Sequence, residues 1–501
     1  HMLASLIPKK HNQSRRAEPR LLAATLNNLS HSLLNMGDLR AAEFALKESI
    51  ALIDNLRKNL TDMQRITVFD TQIYTYNLLS QVYVAQGNHE AALLASELGR
   101  ARALAEVFNP EQSLTLADVE KIRDVVQALD ATLVEYALLP EENFVVQGRQ
   151  RGKSEAIYIW VVQPGGEITF RQVEITDDLA QMVSKNHSFL SASGRGFELI
   201  SDAETSSSQL KSLHKLLIDP IADLLPDDPN QRVTFIPQGE LFSVPFPALM
   251  DANGIYLVDR HTIITAPSIQ VLDETRKRQQ ALGSQTPDSA DNWLLVGNPT
   301  MPPVWNPKTN RAATLPSLHY AEVEAEAIGS RFSVKPLIGA EATEARIKQS
   351  ISDADIIHLA THGLLEYGNP QESGVQDIPG AIALASSTDE DGLLTSAEIR
   401  ELQLQANLVV LSACDTGLGD ITGDGVIGLS RSLITAGIPS VIVSLWSVPD
   451  DSTSILMQEF YRQWQSGLDK AQALRQAMLF TKEQYPDPSS WASFTLIGEA
   501  N

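Results

Sequence analysis

Cys414 is the only cysteine in the chain, and it follows the apolar run Asn407-Leu408-Val409-Val410-Leu411-Ser412-Ala413 just before the polar break Asp415-Thr416-Gly417. A second apolar run, Ile356-Ile357-His358-Leu359-Ala360, ends the same way at Thr361-His362-Gly363. Short apolar runs closed by polar, glycine-containing turns read as buried strands, so a thiol and an imidazole each leave the carboxyl end of a strand. In parallel α/β sheets that edge is where ligands bind and reactive side chains gather. Each residue alone has a plain structural reading: a small buried hydrophobe for the cysteine, a hydrogen-bonded strand-end group for the histidine. As a pair they are a candidate nucleophile and base.

The chemistry such a pair supports is amide hydrolysis. A free thiol has a pKa of about 8.5, which a nearby imidazolium lowers, so Cys414 would attack the carbonyl with little further activation. His362 would protonate the leaving amine and then activate water against the thioester. The backbone N–H groups of Gly363 and Cys414 are the natural donors to the oxyanion, because glycine lets the chain come close. His358 has the strand parity of His362 but lies inside its apolar run, which is the place of a buried structural histidine. Asp415 is either a turn cap or a pocket acid; a carboxylate aimed at the thiol would raise its pKa. No third catalytic residue can be named from spacing.

The elements that position these residues follow from the alternation of short apolar runs and helical patterns after Asn292. Strands fit Trp293 to Val296, Val334 to Leu337, Ile356 to Ala360, Leu408 to Leu411 and Val441 to Leu445. Helices fit Tyr320 to Ile328, Thr343 to Ile351, Val426 to Ala436 and Ser454 to Trp464, which together predict a mostly parallel sheet covered by helices. Earlier strands fit Thr132 to Leu139 and a hairpin, Ile157 to Val162 with Ile168 to Val173, across Pro164-Gly165-Gly166. Gln209 to Leu225 reads as a helix kinked at Pro220, and Gln279 to Asn292 as a polar linker. The first hundred residues are helical and repeat at an offset of 50: Leu29-Ser30 recurs as Leu79-Ser80, Gly37 as Gly87, Ala41-Ala42 as Ala91-Ala92 and Ala45 as Ala95. Small residues at fixed places and a glycine turn describe helical hairpins of tetratricopeptide (TPR) type. The segment Gly99-Arg100-Ala101-Arg102-Ala103-Leu104 continues the last of these helices, its arginines either solvated or docked on the following domain.

The two strand-end blocks, Ile356 to Gly363 and Leu408 to Gly417, resemble the catalytic blocks of CHAT domains, caspase-like modules related to separase and often found behind TPR repeats. The resemblance runs on through Gly423-Asp424-Gly425-Val426-Ile427-Gly428-Leu429-Ser430-Arg431 and Val443-Ser444-Leu445-Trp446-Ser447-Val448-Pro449-Asp450 to Trp491-Ala492-Ser493-Phe494. It implies a cysteine endopeptidase with His362 and Cys414 as its dyad, acting on a chosen protein substrate under a regulator held by the repeats. It also implies three parts: TPR-like repeats at 3–112, a companion α/β subdomain at 113–280 and a catalytic caspase-like subdomain at 281–501. The segment ending in Asp450 is similar to the separase segment whose aspartate binds the basic residue before the cleaved bond. That places Asp450, with Trp446 and Asp415, among the substrate-binding residues. Asp450 and Asp451 also precede a helix, where they would serve as caps. The competing function is a catalytically silent CHAT/TPR interaction scaffold.

Bulk properties bound the rest. The chain has 39 basic and 62 acidic residues, net charge −23, which repels a phosphate backbone. Its one basic cluster, Lys9, Lys10, Arg15, Arg16 and Arg20, reads as a solvated end, so no nucleic acid is expected as a partner. No segment approaches the ~20 apolar residues that cross a bilayer, and a single cysteine fits a reducing, cytoplasmic setting. His1-Met2 has the look of a tag remnant, and the chain reads as a piece of a longer protein. The acidic loop Thr388-Asp389-Glu390-Asp391-Gly392 lacks EF-hand ligand spacing and reads as solvated; no metal or cofactor is expected.

Overall fold

The computed structural model describes residues 17–57, 62–100, 104, 118–140, 145–146, 149–150, 153–194, 203–283, 286–306, 310–364, 367–368, 379–412, 420–422, 425–446 and 448–501. Two compact units are distinguished, one built mainly on residues 1–99 and the other on residues 100–114, 120–139 and 153–501.

The first unit holds four helices, α1 (Ala17–Asn35), α2 (Leu39–Arg57), α3 (Asp62–Ala85) and α4 (His89–Leu98). Gly37 and Gly87 make the two hairpin turns with φ of 80° and 75°, a conformation that side-chain-bearing residues avoid. The residues beyond a standard repeat length go into α2 and into α3, which has 24 residues. Asn27 Nδ2 donates to Thr75 Oγ1 (2.7 Å) between the hairpins. Equivalent positions differ in environment: Leu79 and Leu94 are fully buried, while Leu29 and Phe44 are 40% and 63% exposed. The second hairpin has the first packed against it; the matching face of the first has nothing upon it among the described residues.

The second unit is organised by one sheet of eleven strands: β1 (Ala131–Pro140), β2 (Ser154–Val162), β3 (Ile168–Glu174), β4 (Arg232–Ile236), β5 (Thr262–Thr265), β6 (Trp293–Pro299), β7 (Leu337–Gly339), β8 (Ile356–Ala360), β9 (Leu408–Ser412), β10 (Ser440–Ser444) and β11 (Phe494–Gly498). Their order is β7-β6-β8-β9-β10-β11-β5-β4-β1-β2-β3. Neighbours from β7 to β10 are parallel, as are β11 with β5, β5 with β4, and β4 with β1. The final strand β11 runs antiparallel to β10 and parallel to β5, so it stitches the early strands and the later ones into a single sheet.

Helices cover both faces, as a parallel sheet demands. The alternation within β8 and β9 divides the core. Ile356, Leu408 and Val410 meet α8 (His319–Phe332), α11 (Asp450–Gln465) and α12 (Lys470–Gln484). Ile357, Leu359, Val409 and Leu411 meet α7 (Ile269–Leu282), α9 (Glu344–Ser350) and α10 (Leu429–Thr435), on the other face. The early strands pack on α5 (Leu179–Gly194) and α6 (Ala203–Leu217).

Several boundaries differ from the sequence reading for local reasons. The helix expected to Leu225 stops at Leu217 and continues past Pro220 as a 3₁₀ turn, Asp219–Leu224, since proline cannot supply the hydrogen bond a continuous α-helix needs. The helix expected from Val426 begins only at Leu429, because Gly425–Ile427 pairs with Asp420–Thr422 as a hairpin. The expected linker from Gln279 is partly ordered: α7 runs to Leu282 and a 3₁₀ turn occupies Pro287–Ser289. Arg100 is docked. Its guanidinium, 4% exposed, donates to the carbonyls of Ile236, Pro237 and Tyr136 (3.3, 3.1 and 2.7 Å) and lies 3.2 Å from Glu135.

Candidate active site

Strand register builds the site. In β8 and β9, Ile356 pairs with Leu408, His358 with Val410 and Ala360 with Ser412, so the two strands end level with each other. Cys414 and Asp415 lie outside the described residues, as do Lys9, Lys10, Arg15 and Arg16 of the N-terminal basic cluster.

His362 leaves β8 two residues beyond its last pair. The turn is fixed by Thr361, whose Oγ1 donates to the Ala383 carbonyl (2.6 Å), and by the Ala383 N–H, which donates to the His362 carbonyl (2.9 Å). These bonds continue into the small antiparallel sheet of Gly363–Leu364, Ala381–Ala383 and Leu393–Thr395. Gly363 faces Ile382 there as the pair that exchanges no hydrogen bonds, so its own N–H points away from that neighbour.

The His362 ring is half-buried, and its Nε2 lies 2.8 Å from the Pro316 carbonyl oxygen. A carbonyl only accepts, so Nε2 carries hydrogen and the neutral ring presents Nδ1 as its acceptor. Burial holds the imidazole below its usual pKa, while the Pro316 carbonyl and the Asp450 carboxylate pull it upward.

Asp450 is the first residue of α11, yet no side chain caps that helix at its N-cap, Pro449. Its Oδ2 instead accepts the N–H of Tyr320 (2.9 Å) in the first turn of α8, where a carboxylate complements the positive end of the helix dipole. Burial holds the Asp450 carboxyl above the ordinary range; the Tyr320 N–H and the His362 ring oppose it.

The start of α8 is set by β6. Asn298, with φ of 44°, turns back beyond Gly297 so that its Oδ1 accepts from Ser317 Oγ (3.0 Å) and the Leu318 N–H (2.9 Å). Gly297 allows this, since a Cβ there would fall 2.5 Å from Ala325 Cβ and 2.7 Å from the Ala321 carbonyl oxygen.

His358 is the buried structural histidine that its position implied. It has no exposed surface; its Nε2 lies 2.8 Å from Glu324 Oε1 and its Nδ1 3.2 Å from the Tyr461 hydroxyl. Glu324, on α8, is 1% exposed and burial raises its pKa; His358 and Ser412 offset part of that rise. This acid was missed by sequence reading, although a glutamate at 324, on the same helix stripe as Ala321, Ala325 and Ile328, was a usable signal. The Pro316 carbonyl had no signal at all.

Trp446 lies wholly within the core, its indole N–H donating to the Ser489 carbonyl (3.0 Å), and so supports the path to Asp450 from beneath. His187 of α5 ties the same path from the side, its Nε2 donating to the Leu445 carbonyl (3.0 Å). The acidic loop is also built into the fold: Lys348 Nζ lies 2.6, 3.0 and 2.7 Å from Glu344, Glu390 and Glu398. These three carboxylates form a group with metal-ligand spacing, and the ammonium supplies the positive charge among them.

A family model described as the CHAT domain matches residues 207–499. The chain belongs to the CHAT-domain family. Tetratricopeptide repeat protein 28 of Mus musculus and of Homo sapiens are each 25% identical to this CHAT-domain chain across 94% of its length. The chain spans 24% of the length of these curated relatives. Two structures of the Saccharomyces cerevisiae separase–securin complex, at 3.0 and 2.6 Å, align with a TM-score of 0.55 and 12% identity. They cover 92% and 93% of this chain and 37% and 38% of theirs, a likeness of fold. The N-terminal helical hairpins and the large, mostly parallel sheet thus belong to a TPR-CHAT protein of caspase-like architecture. No helix among the described residues is long and apolar enough to cross a membrane.

Proposed function

We propose that this CHAT protein is a cysteine endopeptidase in which Cys414 is the nucleophile and His362 the general acid and base. The observation that carries the reading is the pairing of Ala360 with Ser412: each candidate residue follows its strand's last pair by two positions, on adjacent parallel strands. The tautomer fits the role. With Nε2–H held on the Pro316 carbonyl, Nδ1 is the atom that takes a proton from the thiol and later returns it to the leaving amine. Burial that keeps the imidazole neutral suits a base working near neutral pH. The outward N–H of Gly363 and that of Cys414 are the proposed oxyanion donors.

Asp450 is proposed as the pocket acid. Its Oδ1 accepts no hydrogen bond among the described residues, and that oxygen is the one a basic side chain before the cleaved bond would meet. Asp415 is a second acid of the same pocket. Within this reading the repeats at 3–112 recruit a protein substrate or a regulator for a catalytic subdomain at 281–501, which has a companion subdomain at 113–280, in the cytoplasm.

The test is turnover of a pooled peptide library by the full chain, read beside alkylation of Cys414 by iodoacetamide. Cys414→Ala should abolish cleavage with the fold intact, and His362→Ala should lower the rate by ~10²–10⁴-fold. Wild-type turnover by the Cys414→Ala protein would refute the nucleophile. An absence of turnover in wild type, with slow alkylation, would favour the scaffold.

A further inference from the structure

The outer helical layer of the second unit contains a groove with about 520 Å³ of open volume, walled by α8 and α12 and floored by α11. On α8 the residues Tyr320, Val323, Ala327 and Arg331 are spaced by three, four and four, so they form one stripe along one side of the helix. Tyr320 is 46% and Val323 37% exposed, and Phe480 across the groove is 41% exposed. These are three of the five large apolar side chains that the second unit exposes among its described residues. The groove itself meets this helix at Ala327, Ile328 and Arg331, and the stripe runs on past it to Tyr320. Charge changes along that line: beyond the groove, on the Tyr320 side, Tyr320 is bonded through its N–H to Asp450, and Asp451 accepts from the Tyr485 hydroxyl (3.1 Å). At the other end stand Arg331, on a chain of net charge −23, and Arg462, the latter already paired with Glu459. Tyr320 and Arg331 are eleven positions apart on α8, about 16 Å along the helix.

We infer that this groove is an exosite for an amphipathic helical segment of the protein substrate, basic at the end beside Asp450 and Asp451 and acidic at the end beside Arg331. An apolar stripe at helical spacing receives the apolar face of a helix, and the gradient fixes which end of the segment lies by the candidate pocket. The inference rests on the reading of Asp450 as the acid beside the cleaved bond, but binding in the groove needs no catalysis.

The experiment therefore uses the full chain carrying Cys414→Ala. The probe is a fluorescein-labelled peptide of about four helical turns, with leucines spaced by four, three and four, two lysines at one end and two glutamates at the other. A second peptide has lysines in place of the glutamates. Fluorescence anisotropy should show the acid-ended peptide binding about tenfold more tightly than the all-lysine one, as expected for loss of a rim charge pair together with like-charge repulsion. Arg331→Glu should reverse that order, and Phe480→Ala should weaken the acid-ended peptide by at least about tenfold as an aromatic anchor is lost. Equal binding of the two peptides or indifference to Phe480→Ala would overturn the exosite. If wild type then proves inert toward peptides while these binding results hold, the catalytic reading fails and the groove stands.

Discussion

Replacing His358 with alanine separates the two histidines of β8 by stability and by pH. The imidazole fills both of its hydrogen-bonding positions inside the core, with Glu324 at 2.8 Å and the Tyr461 hydroxyl at 3.2 Å. Its loss leaves Glu324, 1% exposed, without that partner. Removing one member of a buried pair costs about 3–5 kcal/mol, and the space left by the ring adds a cavity term. A loss of at least ~3 kcal/mol is therefore expected, a large share of the ~5–15 kcal/mol that holds an ordinary domain together. The loss also has a defined pH dependence. Burial already holds the Glu324 carboxyl above its ordinary value, and His358 is one of the groups drawing it down. Without His358 it rises further. A carboxyl whose pKa is raised in the folded state favours folding most below its unfolded value and loses that contribution as pH rises through the folded value, at up to about 1.4 kcal/mol per pH unit. The deficit of His358→Ala, measured by urea denaturation, should thus grow as pH rises above the ordinary carboxylate range. Adding Glu324→Gln, which cannot ionise, should remove that growth. A deficit under about 1 kcal/mol, or one that shrinks as pH rises, would refute the account, since a surface substitution costs no more than this.

Arg100→Met should destabilise the second unit by about 3–5 kcal/mol in the same denaturation assay, because Glu135 and three carbonyls lose a buried guanidinium; a change below about 1 kcal/mol would mean that this contact is dispensable. Asp450→Ala should cost about 1 kcal/mol by stripping the Tyr320 N–H of its acceptor. Asp450→Asn should be neutral or slightly stabilising at neutral pH, since the folded-state pKa of Asp450 is raised and its charged form is the one burial penalises. In a peptide-library profile, Asp450→Asn should also erode any basic preference before the cleaved bond, and an apolar preference in wild type would reject the pocket role. Gly297→Ala should cost about 1–3 kcal/mol in thermal denaturation, because a Cβ would sit 2.5 Å from Ala325 Cβ; an unchanged transition would show that α8 can lift freely.

The strands of the site were legible because a parallel sheet buries both faces and writes its strands as unbroken apolar runs. Ile356–Ala360 and Leu408–Ser412 needed only their polar ends to be bounded. The hairpin at Gly166 was equally local, its glycine carrying a φ of 85°. What escaped the sequence was long-range pairing. Nothing local to Thr265 or Ile497 shows that they meet, yet that contact joins the early strands to the late ones in one sheet. Asp450 was named as a site acid, but its bond to Tyr320 escaped for a related reason: sequence displays only the helix an acid precedes, and this carboxylate serves the neighbouring helix, 130 residues earlier in the chain. The Pro316 carbonyl is a backbone group, identical in every residue type, so no pattern announces it.

The candidate site depends on α8 in three separate ways. The Pro316 carbonyl, three residues before the helix, fixes the proton of His362 on Nε2. The Tyr320 N–H in its first turn holds Asp450 close enough to act on that ring. Glu324, one turn further on, anchors His358 in the strand that ends at the same site. All three need the helix seated close upon β6, and Gly297 with the turn at Asn298 provides that seat. A reactive pair set on two rigid strands needs its base oriented and its local charge fixed by groups that do not move relative to those strands. A helix pressed onto the third strand of the same parallel set meets that requirement, and the exposed side of that helix is left free to form one wall of the outer groove.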